Sequence, residues 1–105
     1  MNGGANRIPC CVPFCRRTVA REAIAPNAEF LCQRHWALVP KGLKRRKRQS
    51  ERVAERSDAR FRAHYSANNC SSTEIELSRA LAAMALARAV WARCKRTVIE
   101  KAVGL

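Results

Sequence analysis

The second half of the chain contains two long stretches of helical periodicity. The first covers residues 40–65, and Pro40 suits the first turn of a helix, where a missing N–H costs nothing. A segment of small polar residues, 66–72, predicts a loop. The second stretch covers residues 73–103 and has larger apolar side chains close to helical spacing. The predicted buried stripe of this second helix consists of Leu77, Leu81, Met84, Trp91, Val98 and Ala102.

This pattern predicts a mainly α-helical fold in which a small N-terminal unit precedes two long helices. The alanine-rich segment from Ala80 to Ala92 allows another helix to approach closely. We therefore expect the second helix to fold back on the first as an antiparallel helical hairpin. The alternative is that the 77–102 stripe pairs with a second copy of the chain, giving a homodimer.

The N-terminal third has weaker signals of secondary structure. Residues 1–9 are a polar lead-in and are expected to be disordered. Thr18–Ala20 and Glu29–Leu31 predict two short strands of a hairpin, with Pro26-Asn27 as the turn signal. Residues 21–25 could equally form a helical turn, which is the alternative to this strand prediction.

Cysteine and histidine spacing indicates a metal site within residues 8–39. Cys10 and Cys15 flank a tight turn, and Cys32 and His35 are separated by two residues. Turns of this length bring two thiolates to one zinc ion at about 2.3 Å, and C-x-x-H supplies the third sulfur and the imidazole. Either Cys10 or Cys11 can close the turn with Cys15. We prefer Cys10, because Cys11 then faces away from a completed knuckle.

Composition favours metal over disulfide bonds. The chain has 105 residues and few aromatic side chains, so its thin core needs an additional constraint such as a bound metal. Its six cysteines would permit disulfides in a secreted protein, but no secretory signal is visible. Cys70 and Cys94 also stand apart from the others. We expect reduced thiols, one structural zinc and a cytoplasmic location in a bacterial host cell.

The charge balance indicates an anionic partner. The sequence has 21 Lys and Arg against 8 Asp and Glu, a formal net charge of +13. No apolar run is long enough to span a membrane. The basic block of the first helix is expected to contact phosphates of nucleic acid, DNA rather than RNA, without base-specific readout. The residues predicted to make these contacts are Lys41, Lys44, Arg45, Arg46, Lys47, Arg48 and Arg52.

The arrangement Cys10-x4-Cys15 followed by Phe30-Leu31-Cys32-Gln33-Arg34-His35-Trp36 resembles small treble-clef-like zinc knuckles of phage and prophage proteins. It is distantly similar to the knuckles beside HNH nuclease domains. The resemblance covers about residues 8–48. It implies zinc ligation by Cys10, Cys15, Cys32 and His35, and a phage or prophage origin. This chain departs from the pattern at Phe14, where glycine is usual.

We do not expect catalysis. The chain has two histidines; His35 is assigned to zinc, and His64 has Asp58 as its one conceivable partner. A zinc ion with four protein ligands also has no open position for an activated water. Two functions remain: a small nucleic-acid-binding protein, or a protein-interaction module that binds an acidic host or phage protein through the same basic surface.

Overall fold

The structure, a computed structural model, describes residues 6–67 and 70–104 and is mainly helical, as predicted. Residues 6–40 and 94–104 form one compact unit, and residues 41–67 and 70–93 form the other. No helix within the described ranges is both long and apolar enough to cross a bilayer. The elements in chain order are β1 (Arg7–Pro9), β2 (Thr18–Ala20), a 3-10 turn (Arg21–Ala23), α1 (Gln33–Trp36), α2 (Lys41–Ser66) and α3 (Cys70–Ala102).

The first unit is built on a small antiparallel sheet. Strand β1 pairs with β2, and Ile8 lies opposite Val19. The side chain of Arg7 reinforces the pair, because its Nε donates to Thr18 Oγ1 at 2.6 Å. The prediction of a disordered lead-in over residues 1–9 is therefore wrong for Arg7–Pro9. Residues 1–5 of that lead-in lie outside the described residues.

The predicted pairing of Thr18–Ala20 with Glu29–Leu31 is also wrong. The turn signal itself is correct: Asn27 has a φ of 62°, and the N–H of Ala28 donates to the carbonyl of Ala25 at 3.0 Å. The chain leaves β2 through the 3-10 turn, so the returning segment does not run back along that strand. Phe30 instead forms a parallel bridge with Cys10.

Helices α2 and α3 form the second unit as a hairpin, and two sets of side-chain contacts define its antiparallel sense. Near the turn, His64 Nδ1 lies 2.9 Å from Ser72 Oγ. At the other end, the ammonium of Lys47 lies 5.7 Å from the ring centroid of Trp91. The helices begin and end within three residues of the predicted bounds, 40–65 and 73–103. Residues 68 and 69 of the predicted 66–72 loop lie outside the described residues.

The buried face of α3 differs from the predicted stripe. Ala80, Ala83 and Val90 are buried, whereas Leu77 and Leu81 are largely exposed. Small side chains on a buried helix face permit close packing, and here the two leucines lie outside that face. The facing position on α2 is also small, since Ser50 is buried and its hydroxyl donates to the carbonyl of Lys47 at 2.9 Å.

The last turns of α3 belong to the first unit and supply its core. Cys94 and Val98 are fully buried, one helical turn apart. Lys95 Nζ lies 2.9 Å from a carboxylate oxygen of Glu29. Lys101 Nζ donates to the carbonyl of Leu38 at 2.9 Å. The knuckle segment is thus held to α3 by apolar burial and by two polar contacts.

Candidate metal centre

Three local structures bring four potential ligands together. The turn after β1 carries Cys10 and Cys15, and it is closed by the Cys15 N–H donating to the Val12 carbonyl at 3.2 Å. The bridge to Phe30, with the Cys11 N–H donating to the Phe30 carbonyl at 2.8 Å, carries the chain to Cys32. Helix α1 then places His35 one turn beyond Cys32. The Trp36 N–H donates to the Cys32 carbonyl at 2.8 Å and fixes this turn.

The four donor atoms lie close to one another. The sulfurs of Cys10, Cys15 and Cys32 and a ring nitrogen of His35 all lie within 4.8 Å of one another. Ideal metal–ligand lengths for zinc place two sulfurs about 3.8 Å apart and a sulfur and nitrogen about 3.6 Å apart. The corresponding distances here are 3.9 Å from Cys15 Sγ to Cys32 Sγ, and 3.6 Å and 3.2 Å from His35 Nδ1 to the sulfurs of Cys10 and Cys32. The cluster could hold one metal ion.

Backbone N–H groups lie against two sulfurs of the cluster, and they favour the anionic form of one, Cys32. Burial opposes ionisation of the Cys32 thiol, but hydrogen bonds, first from the backbone N–H of His35, hold the pKa of Cys32 below its ordinary value. Burial raises the pKa of the Cys10 thiol, and backbone N–H groups, including that of Cys32 at 3.4 Å, partly offset this rise. Such donors stabilise a thiolate. A merely buried neutral cysteine would need none of them.

Cys11 lies outside the cluster. Burial raises the pKa of the Cys11 thiol. The charged groups near this thiol are Glu29 and Lys95, neither of which belongs to the cluster. The structure therefore places Cys10, and not Cys11, with Cys15, Cys32 and His35. Cys94 is a buried cysteine of the core and does not belong to this set. The sequence had left the choice between Cys10 and Cys11 to turn geometry alone.

The predicted phosphate-contacting residues of α2 divide into two groups. Lys41, Arg45, Arg48 and Arg52 are exposed and recur every three or four residues. At about 100° per residue they lie within about 60° of one another, on the side of the helix opposite Ser50. We call these four residues the cationic stripe. The ion pairs of the described residues do not include any of the four.

The other predicted contacts do not lie on the cationic stripe. Lys47 pairs with Glu51 at 2.6 Å and lies over Trp91, so only 23% of its side chain is exposed. Lys44 is half-buried. Arg46 is exposed but lines a groove between α2 and α3. The block Lys44–Arg48 is therefore not equally exposed around the helix, because α3 covers one of its sides.

A polar cluster that the sequence did not indicate lies near the turn of the hairpin. Glu76 is buried, with one carboxylate oxygen 3.5 Å from Arg79 and 3.9 Å from His64 Nε2. His64 also contacts Ser72, as described above. Asp58, the partner considered for His64, pairs with Arg62 at 2.9 Å. The distance of 3.9 Å is too long for the hydrogen bond that would orient a catalytic histidine.

Comparisons of the chain with protein families, with curated proteins and with solved structures find no match.

Proposed function

We propose that the protein is a small, non-catalytic, zinc-binding protein that binds nucleic acid, phage- or prophage-encoded as its resemblance implies. Three cysteines and one imidazole within reach of a single ion suit zinc, which prefers sulfur and nitrogen ligands and imposes no geometry of its own. Cys10, Cys15, Cys32 and His35 supply four protein ligands, so the ion would be structural. Its binding free energy would then stabilise the N-terminal unit directly.

The cationic stripe carries the proposal for nucleic acid. Lys41, Arg45, Arg48 and Arg52 extend over about 16 Å of helix, since each residue adds about 1.5 Å. Their side chains project from the face opposite the hairpin core, and the ion pairs of the described residues involve none of them, although the exposed Glu55 follows one turn after Arg52. A row of cations along one helix face can lie against a sugar-phosphate backbone and release counterions from it. The stripe offers no side chain suited to reading bases, so we propose duplex DNA bound without sequence preference.

The test compares two triple variants with the same change in net charge. The first, Arg45→Ala, Arg48→Ala and Arg52→Ala, removes most of the cationic stripe. The second removes three exposed arginines elsewhere, at positions 21, 88 and 96. Each is titrated against one labelled duplex at several salt concentrations, with an RNA duplex as comparator.

If the stripe contacts phosphates, its removal lowers the slope of log affinity against log salt by about 2.7, or 0.9 per lost contact. The control variant should keep the wild-type slope. Equal losses in the two variants would mean that only overall charge matters, and wild-type protein that fails to bind the duplex would refute the proposal. Folding should be unaffected in both cases, because alanine is a better helix former than arginine.

A protein-interaction role is the second candidate, and a groove in the helical hairpin favours it. The groove has a volume of about 510 Å³ and an apolar floor that includes Val53, Leu86 and Val90. Arg46 and Arg93 also line it. An acidic amphipathic helix would match both features. A stoichiometric protein complex that survives nuclease digestion, and is lost in Leu86→Glu, would support this function.

A further inference from the structure

The turn between the first two ligands exposes an aromatic side chain at a strained position. Phe14 is 94% exposed. Its φ is 72°, a left-handed conformation that glycine adopts freely and that costs other residues about 1 kcal/mol or more. No ring or cation contact of the described residues involves it. Neither packing nor backbone geometry within the chain therefore accounts for a phenyl group here.

The surroundings of Phe14 are cationic and concave. Phe14 lines a groove of about 430 Å³ together with Pro13 and Val103. Three exposed arginines, Arg16, Arg17 and Arg34, line the same groove, and it has no acidic residue in its lining. The groove therefore combines an accessible ring face with guanidinium groups that can bind phosphate and stack on planar groups.

We propose that this groove binds an unpaired nucleobase of a single-stranded nucleic acid, with the base stacked on Phe14. Every base presents a π-face, so stacking on an exposed aromatic ring tolerates any sequence. The flanking phosphates would meet Arg16, Arg17 and Arg34. A paired base inside a duplex cannot present its face to Phe14, so the ligand differs from that of the cationic stripe. The surface is separate too, and the inference does not depend on the stripe.

Phe14→Gly gives an unusually clean test because it removes the ring and the backbone strain together. The variant should unfold at the same temperature as wild type or a higher one, so weaker binding could not be ascribed to misfolding. The probe is a fluorescein-labelled oligo(dT) of about twelve nucleotides, titrated with full-length, zinc-loaded protein and compared with a labelled duplex. Phe14→Gly should bind the single strand at least about fivefold more weakly, the lower limit for losing one stacked base. Its affinity for the duplex should stay within about twofold of wild type.

Two further measurements separate stacking from a general effect of the turn. Phe14→Trp keeps an aromatic face and should retain the single-strand affinity that Phe14→Gly loses. A single strand containing 2-aminopurine, whose fluorescence falls when it stacks, should be quenched by wild type and by Phe14→Trp but not by Phe14→Gly. The inference would be overturned if wild type does not bind oligo(dT) or if Phe14→Gly binds it as tightly as wild type does. It would also be overturned if Phe14→Gly loses affinity equally for the single strand and the duplex. Specific binding of an acidic peptide in place of oligo(dT) would also overturn it. Failure of the duplex titration alone would count only against the cationic stripe.

Discussion

Cys32→Ser is the most direct test of the metal centre, because Cys32 is the most deeply buried residue of the cluster. Its sulfur lies 3.2 Å from His35 Nδ1 and 3.9 Å from Cys15 Sγ, and it is almost completely buried. A serine hydroxyl does not ionise at neutral pH and is a poor substitute where thiolate is preferred. Cys11→Ser is the matched control, since it makes the same chemical change at a cysteine outside the cluster.

The expected magnitude follows from linkage. Removing groups that only orient metal ligands typically weakens metal binding 10- to 100-fold. Removing a ligand should exceed the upper end of that range, which corresponds to about 2.7 kcal/mol of lost stabilisation at saturating zinc. A domain this small has only about 5–10 kcal/mol of stability in total. The first unit should therefore lose much of its order in Cys32→Ser, whereas Cys11→Ser should retain it.

The measurement combines metal analysis with hydrogen exchange. Wild type and Cys11→Ser should carry one zinc per chain after dialysis, and Cys32→Ser should carry much less. Amides of residues 6–40 and 94–104 should exchange faster in Cys32→Ser than in the control, because these segments form one unit. Equal zinc affinity in the two variants would refute the ligand assignment. Metal-free wild type with full protection in residues 6–40 would refute the structural role of the ion.

Two further predictions concern packing and charge. Ala80 is 1% exposed, so Ala80→Leu should destabilise the protein by about 1–3 kcal/mol in urea denaturation. Ala82→Leu, on the exposed face, is the control and should change stability by less than about 0.5 kcal/mol. Equal effects of the two substitutions would contradict the buried face assigned to α3. Glu29→Gln should cost less than about 1 kcal/mol, because the pair with Lys95 is partly exposed. The hydrogen bond that Lys95 donates to the Glu29 carboxylate raises the pKa of Lys95 above its ordinary 10.5, so the advantage of wild type should be complete below pH 10.5 and disappear as pH rises further. A difference that persists after Lys95 has lost its proton would contradict this account.

The sequence predicted the helices well because their signals are long and local. The signals are Pro40, the small-polar segment 66–72 and the sustained periodicity on either side of it. They predict bounds for both helices of the hairpin that are close to the observed ones. The ligand set is similarly local, since C-x-x-H places its two donors one turn apart and turn closure limits the choice of the other cysteines. The choice between Cys10 and Cys11 required the structure, because either spacing permits a turn.

The predicted stripe of α3 is only partly correct, for a physical reason: Val98 is buried, but Leu77 and Leu81 are exposed. A search for periodicity gives most weight to large apolar residues, and Leu77 and Leu81 are spaced four apart. In an alanine-rich helix the smallest side chains permit the closest approach, so Ala80 and Ala83 face inward. Strand β1 was missed because three residues, one of them arginine and one proline, have no detectable alternation. Its pairing depends on the knuckle turn that joins it to β2.

Overall charge alone could not predict where the positive charge is available. Four of the eight acidic residues pair with cations: Glu29 with Lys95, Glu51 with Lys47, Asp58 with Arg62, and Glu76 with Arg79. None of these four cations belongs to the cationic stripe or to the groove beside Phe14. The ion pairs of the described residues thus leave the cations of these two surfaces without a salt-bridge partner. A protein that used its charge only for solubility would gain nothing from this distribution, since solubility depends on net charge and not on its placement. The proposed contacts of the cationic stripe with duplex phosphates, and of the groove beside Phe14 with a single strand, would both require such a distribution.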